Sequence, residues 1–289
     1  MADEAMGFLK PGEGSVILDA TVGCAGHAER ILEKISPDGF LIGVDADAES
    51  LALAAERLKK FATSSYSLLH GNFRDIDALL RKLGIKKIDA ALFDLGISSY
   101  QLEKAGRGFS FAREGLLDMR MDRSKSVRAY DLVNRCRRED LEGIIRKFGE
   151  ERYSRKIAGA IIERRKARPV ETTGELAEIV GRAAGRKYRS QKIHPATRTF
   201  QALRIAVNEE LESLEEGLQK TWGFLACGGR IVAISFHSLE DRIVKRFLKG
   251  LANNKNARVL TKKPAVPSPE EKRRNPRSRS AKMRAAEKI

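Results

Sequence analysis

Apolar and polar positions follow two different rhythms along this chain, and the change between them divides it. From Ser15 to about Gly96, short apolar runs alternate with amphipathic stretches. The run Val16-Ile17-Leu18 fits a strand covered on both faces. His27–Ile35 then reads as a helix with Ile31, Leu32 and Ile35 on one side. Phe40-Leu41-Ile42-Gly43-Val44 reads as a second strand, and 49–61 as a helix with Leu51, Ala54, Ala55 and Leu58 at helical spacing. Two more strands are predicted at 66–70 and 88–95. This alternation predicts an α/β fold, a parallel sheet with helices on both faces.

After Gly96 the rhythm changes, and residues from about 107 to 200 are charged and helical in pattern. Leu141, Ile144, Ile145 and Phe148, then Ile157, Ala160 and Ile161, predict one or two amphipathic helices. Thr172 or Thr173, with Glu175 close behind, predicts a capped helix running to Ala184. Strand-type sequence returns at 229–236. A helical insertion between the fourth and fifth strands of one sheet accounts for that late strand; an independent C-terminal domain does not. The expected organisation is a first part of the sheet domain at 1–106, an inserted helical domain at 107–200, and a second part of the sheet domain at 201–289. The segment from about Asn253 onward is rich in Lys, Arg and Pro, with Glu270, Glu271 and Glu287 as its acids. Its composition predicts an extended, partly disordered basic arm, placed to guide nucleic acid if it lies near the site.

Composition sharpens this picture in three ways. A chain of 289 residues with 42% hydrophobic content can bury a substantial core. Its formal net charge of +16 favours a polyanionic partner through phosphate neutralisation and counterion release. No apolar run approaches the roughly 20 residues of a spanning helix, and Asp3 and Glu4 stand at the N-terminus, so a cytoplasmic protein is expected, with no membrane partner. Cys24, Cys136 and Cys227 form no close pair, and His27, His70, His194 and His237 show no metal-ligand spacing. No structural metal is predicted. Cys24 reads as a small residue in a tight turn rather than a nucleophile.

The chemistry begins at the turn after the first strand. Gly23 and Gly26 allow the backbone to approach a ligand, and Asp45, closing the second strand, lies about 20 residues beyond the first glycine, the offset of an acid that hydrogen-bonds ribose hydroxyls. Because Ala25 and His27 interrupt a Gly-x-Gly-x-x-Gly pattern, the turn is ill-suited to a pyrophosphate. That argues against a nicotinamide-dependent oxidoreductase, which shares the strand, turn and acid, and favours S-adenosylmethionine. The fourth strand ends in Asp94 and Gly96, which in an open sheet face the same crevice.

Nine stretches carry a resemblance over nearly the whole chain: DATVGCAGH (19–27), GVDAD (43–47), HGNF (70–73), DLGISSYQL (94–102), RGFSF (107–111), LDMRMD (117–122), HPATRTFQALRIAVNEEL (194–211), GGRIVAISFHSLEDRIVK (228–245) and NPRSRSAKMRAAE (275–287). The chain resembles the bacterial small-subunit ribosomal RNA cytosine-N4 methyltransferases, the RsmH or MraW family. The chain starts around Met6-Gly7-Phe8-Leu9 of that pattern, without the family's leading His-x-Pro-Val segment, and has Tyr100 and Ala28 where proline and serine are frequent.

The resemblance implies a class I S-adenosylmethionine-dependent methyltransferase, with a Rossmann-like sheet and an inserted helical substrate domain. It also implies methyl transfer to the exocyclic N4 of a cytidine in the decoding region, on small-subunit ribosomal RNA or the 30S particle. The cofactor contacts it implies fall on Ala25, Gly26, His27, Asp45, Phe73, Asp94 and Gln101, joined by Gly23 from the turn, with Phe73 lying against the adenine. The reaction needs the amine held in line with the methyl, so acceptors for its hydrogens matter more than a strong base. Asp94, or backbone carbonyls of 94–99, are the candidates for that role, with Asp118 and Asp122 as alternatives. His237 reads as a substrate contact or loop organiser, His194 and Arg198 as RNA contacts, and Arg204 equally as an ion-pair partner. The other function class to weigh is a non-catalytic RNA-binding ribosome-assembly factor on the same fold.

Overall fold

The computed structural model describes residues 1–185 and 194–289. Packing sorts them into two units, Met1–Gly96 with Leu211–Ile289, and Ile97–Glu210. The charge pattern draws the ends of the helical part at 107 and 200, whereas the packing draws them further out. Ile97 and Leu102 join the helical unit's core, and the helix Ala196–Asn208 adds Phe200, Leu203 and Val207 to it.

The first unit is built on a seven-stranded sheet of β1 (Val16–Asp19), β2 (Phe40–Asp45), β3 (Tyr66–His70), β4 (Ile88–Asp94), β5 (Leu225–Ser235), β6 (Ala257–Val259) and β7 (Lys282–Lys288). The spatial order is β3-β2-β1-β4-β5-β7-β6. Strands β1 to β5 run parallel, and β7 lies antiparallel between β5 and β6. Continuous apolar runs are needed because successive side chains point to opposite faces and both faces are covered. Ile17, Leu41, Ala90, Leu92, Val232 and Ile234 meet one core, with Ile31, Leu32, Ile35, Ala54 and Leu58 from the helices Gly26–Ile35 and Ala48–Leu58. Their neighbours Leu18, Ile42, Ala91, Phe93, Ile231 and Ala233 meet the other, with Ile76, Leu80, Leu214, Leu218 and Trp222. The order reverses between β1 and β4, so the carboxyl ends of β1, β2 and β4 open onto the crevice where ligands of such sheets bind.

The basic C-terminal segment corrects the expectation of a partly disordered arm. It folds as β6, the helix Pro269–Arg274, a tight turn Pro276–Ser280 and β7. Strand β7 is an interior strand whose Met283, Ala285 and Ala286 are fully buried. Two of its charges are paired: Arg284 donates to Asp241 at 2.7 Å, and Arg230 donates to Glu287 at 2.8 Å. Composition misleads here because paired charges on a strand can be buried in a sheet, while the same charges unpaired would keep it in water.

The helical unit packs Arg138–Gly149, Ser154–Ala167, Thr173–Ala184 and Ala196–Asn208 around Leu141, Ile145, Ile157, Ile161, Leu176, Val180 and Leu203. Thr172 is the cap of the third of these: its hydroxyl accepts the Glu175 N–H at 3.2 Å, and the Glu175 carboxylate accepts the Thr172 N–H at 3.3 Å. Thr173 donates instead to the Arg113 carbonyl at 3.2 Å. Among the described residues no helix is long and apolar enough to cross a membrane.

Asp241 and Arg284 are both buried and lock β7 to the helix Ser238–Asn253. Asp241→Ala leaves the guanidinium buried without its counter-ion and should cost about 3 kcal/mol of stability, read as a lowered urea midpoint with unchanged slope. A midpoint equal to the parent's would show that the pair does not hold the strand.

Candidate functional site

The loop after β1 is tied down by its neighbours on both sides. Ala20 N–H donates to the Leu92 carbonyl of β4 and Val22 N–H to the Val44 carbonyl of β2, both at 2.9 Å. The Thr21 hydroxyl accepts the Asp94 N–H at 2.7 Å, joining this loop to the end of β4. The chain then turns sharply, with Gly23 at φ 51° and Ala25 at φ 63°, into the first turn of the helix that carries His27. Left-handed backbone is natural for Gly23; at Ala25, fully buried, the fold imposes it on a residue with a Cβ. A Cβ on Gly26 would meet no atom within 4 Å, so open space lies over that residue.

Asp45 is the acid that the spacing picks out, and its first partners are backbone groups. One oxygen accepts the Gly23 N–H and the other the Asp47 N–H, each at 2.8 Å. The carboxylate thus holds the glycine turn in place, and each oxygen keeps a second lone pair for a ligand hydroxyl. Burial pushes its pKa up to about 6 against the pull of those two N–H groups. Two residues on, Asp47 caps the helix Ala48–Leu58 through the Glu49 N–H.

Two more acids complete the carboxyl edge of the sheet. Asp19, an acidic strand end that the motif reading left without a role, is buried and accepts the Thr21 N–H at 3.2 Å. Burial, opposed by the His27 charge and that N–H and reinforced by Asp94 and Asp45, raises its pKa to about 7. His27 Nε2 lies 3.3 Å from Asp94 Oδ2. Burial alone would lower the imidazole pKa, but the bond to Asp94 and the charges of Asp94 and Asp19 outweigh it and hold the ring above its ordinary value. His27 Nδ1 and Asp94 Oδ1 are buried with no hydrogen-bond partner among the described residues.

Phe73 sits at the end of β3 on a short turn capped by Asn72, whose side chain accepts the Arg74 N–H at 2.8 Å. The ring is half-buried, edge-on to Phe93 at 5.7 Å. A Cβ at Gly217 would come within 2.8 Å of Cδ2, so that glycine gives the ring its seat. His237 ends the loop after β5: its Nδ1 accepts the Glu240 N–H at 3.3 Å, and Glu240 accepts the Phe236 N–H at 2.8 Å. These bonds cap the helix Ser238–Asn253 and hold the loop.

The remaining predicted residues belong to the helical unit. Gln101, buried, closes a capping box with Ser98. Both oxygens of Asp118 are held by Arg120, at 2.7 and 2.8 Å. Burial raises the Asp118 pKa, but that fork and the Arg120 N–H outweigh it and leave it below its ordinary value. Asp122 accepts the Ser124 N–H and hydroxyl at 2.9 and 2.7 Å. The loop between them is pinned from behind by Asn208, which accepts the Met121 N–H and donates to the Met119 carbonyl, both at 2.7 Å. His194 stacks on Phe111 at 4.5 Å, Arg198 donates to the Glu150 carbonyl at 3.1 Å, and Arg204 forks onto Glu210 at 2.8 Å. Gly23, Ala25, Gly26, His27, Asp45, Phe73 and Asp94 therefore gather at one sheet edge of one unit, with His237 at the end of β5. Thr21, Asn72 and Asn208 serve these loops and lie within the motif stretches, but no role was assigned to them; their short polar side chains beside strand ends and turns were the available cue.

With this geometry established, comparison with known proteins is decisive. The model of the MraW methylase family matches residues 1–289. The chain belongs to that family. A relative from Trichlorobacter lovleyi, called ribosomal RNA small subunit methyltransferase H, is 50% identical over 304 residues, covering 100% of this chain and 97% of that protein. Another of the same name from Sulfurihydrogenibium is 51% identical, covering 99% and 97%. Among solved structures, a candidate rRNA-methylase from Clostridium thermocellum aligns with a TM-score of 0.50 at 14% identity, covering 100% of this chain and 95% of that one. A candidate methyltransferase from Streptococcus mutans, solved with SAH, aligns with a TM-score of 0.50 at 13% identity, covering 99% and 97%. The sheet is thus the class I methyltransferase fold.

The buried acids give a pH signature with a definite sign. Asp19 binds its proton more tightly folded, near pH 7, than unfolded, at 3.8. The associated stability is complete below the unfolded value and is lost as pH rises through about 7. Asp19→Asn carries no such proton, so its stability relative to the parent should climb between pH 4 and 7 in denaturant titrations. A constant difference across that range would show that Asp19 ionises normally.

Proposed function

We propose that this protein is an S-adenosylmethionine-dependent methyltransferase of small-subunit ribosomal RNA that methylates the exocyclic N4 of a cytidine in the decoding region. The observation that carries the reading is the row of three acids, Asp19, Asp45 and Asp94, at the carboxyl edge of β1, β2 and β4. Such an edge repels a pyrophosphate and suits an adenosine cofactor that is cationic and free of phosphate. The relatives' shared name and the net charge of +16 support an RNA substrate. That substrate places the reaction in the cytoplasm.

The residues present fit the cofactor. Asp45, with a lone pair spare on each oxygen, would take the ribose hydroxyls; the half-buried ring of Phe73 would meet the adenine; the open space over Gly26 leaves the turn accessible. His27 Nδ1 and Asp94 Oδ1, buried and unpartnered, would serve its charged end. S-adenosylmethionine supplies an electrophilic methyl on a sulfonium. Asp94, or backbone carbonyls of 94–99, would accept hydrogens of the target amine and turn its lone pair out of the ring. Gln101 would be a cofactor contact, as the resemblance implies, while Asp118, Asp122, His194 and Arg198 would serve the RNA, where Asp118 acts by shaping its loop through Arg120 rather than by offering a free carboxylate. A strong base is unnecessary, since the methylated amine is acidic until it sheds its proton. The cytosine must leave its stack to reach the methyl.

Mass mapping of small-subunit rRNA from cells with and without the protein should show one N4-methylcytidine present only with it. Asp45→Ala should weaken S-adenosylmethionine binding by at least about 100-fold, as both hydroxyl contacts and the hold on the Gly23 turn go together. Normal cofactor affinity in that variant would remove Asp45 from the site, and unchanged rRNA in the deletion strain would refute the substrate.

A further inference from the structure

The antiparallel direction of β7 has a geometric result. Its amino end lies at the carboxyl edge of the parallel strands: Lys282 is paired with Ser235 at the end of β5, one strand from Asp94, which is paired with Ile234. The helix Pro269–Arg274 and the turn Pro276–Ser280 lead into β7 at that same edge. Between them and the loop after β5 lies a cavity of about 320 Å³, near the lower end of the ~300–1,000 Å³ usual for ligand sites. Phe236 and Val266 form an apolar wall, and Lys272, Arg279 and Lys282 supply its charge. Val266 is 57% exposed, a large apolar side chain left in water beside three cations.

The acids in the neighbourhood are spoken for. Asp241 is forked by Arg284 at 2.7 Å and reached by Lys282 at 3.5 Å. Glu270 pairs with Arg274, and Glu271 with the amino terminus, both at 2.9 Å. Glu240 is buried and holds the Phe236 and His237 N–H groups. Lys272 and Arg279 have no anionic partner among the described residues, so two cations face the cavity uncompensated beside a partly exposed aromatic ring. An apolar wall for a base or ribose with unpaired cations at its rim is the chemistry of a single-stranded nucleotide subsite.

We propose that this cavity is a docking subsite for one nucleotide of the RNA substrate beside the target: Lys272 and Arg279 take its backbone phosphate, and Phe236 with Val266 takes its apolar face. The inference rests on the RNA reading above. It deepens that reading by placing strand capture in the last folded segment, apart from the acids that hold the cofactor.

The test uses the full chain, a fluorescein-labelled unmodified small-subunit rRNA fragment, and affinity measured across about 50–200 mM KCl. Lys272→Gln/Arg279→Gln should bind the fragment about tenfold more weakly, with a salt dependence of log K shallower by about one to two. Lys272→Arg/Arg279→Lys, which keeps both charges, should restore the slope, and S-adenosylmethionine affinity and melting temperature should match the parent in both. Phe236→Leu should lower affinity without changing the slope. A neutralised variant with the parent's affinity and slope overturns the subsite, as does one that weakens with the slope intact. A parent that binds no RNA instead refutes the functional reading, before any variant is compared.

Discussion

The bond on which the site depends is the one from the Gly23 N–H to the Asp45 carboxylate at 2.8 Å. It joins the turn after β1 to the end of β2, and the Asp47 N–H fixes the other oxygen so that the carboxylate cannot rotate away. Around it, Val22 is tied to β2 and Ala20 and Thr21 to β4, so three adjacent strands hold one loop. Ala25 can stay in left-handed backbone because that frame over-determines it. An acid usually described by what it offers a ribose is thus first a structural clamp, and its two duties share the lone pairs of two oxygens.

That clamp also explains why the carboxyl edge tolerates so much buried acidity. Asp19, Asp45 and Asp94 end neighbouring parallel strands. Backbone N–H groups and His27 answer them only in part, and the pKa values of Asp19 and Asp45 rise to about 7 and about 6. An edge optimised for stability alone would carry fewer acids or more donors. The mismatch is a standing preference for positive charge, built from strand ends that the apolar core holds rigid.

Much of this was legible in the sequence, for reasons that differ by element. Strands β1, β2 and β4 show as apolar runs because both of their faces are buried, and Asp45 shows because strand, turn and helix lengths fix its distance from Gly23. The engagement of Asp118 did not show, since a partner only two residues away, Arg120, uses a carboxylate that spacing alone leaves free. The helical unit's limits were displaced because Ile97, Leu102 and Val207, which lie outside the charged stretch at 107–200, pack into that unit's core. Strand β7 was hidden for the opposite reason. Its Arg284 and Glu287 find Asp241 and Arg230 across separations of 43 and 57 residues, which no local pattern reveals.

The direction of β7 links the two readings of the chain. A sixth parallel strand beside β5 would have needed a crossover and would have entered the sheet at the edge away from the acids. An antiparallel strand enters at the edge where the parallel strands end, so the basic, proline-marked residues before it are delivered beside Ser235 and not to the far side of the sheet. The molecule thereby presents acids at the ends of β1, β2 and β4 and cations at the start of β7 along a single edge. Opposite charges kept a few strands apart can serve two ligands of opposite charge only if neither set neutralises the other. The engagement of Asp241, Glu270 and Glu271 with Arg284, Arg274 and the amino terminus leaves Lys272 and Arg279 without an anionic partner among the described residues.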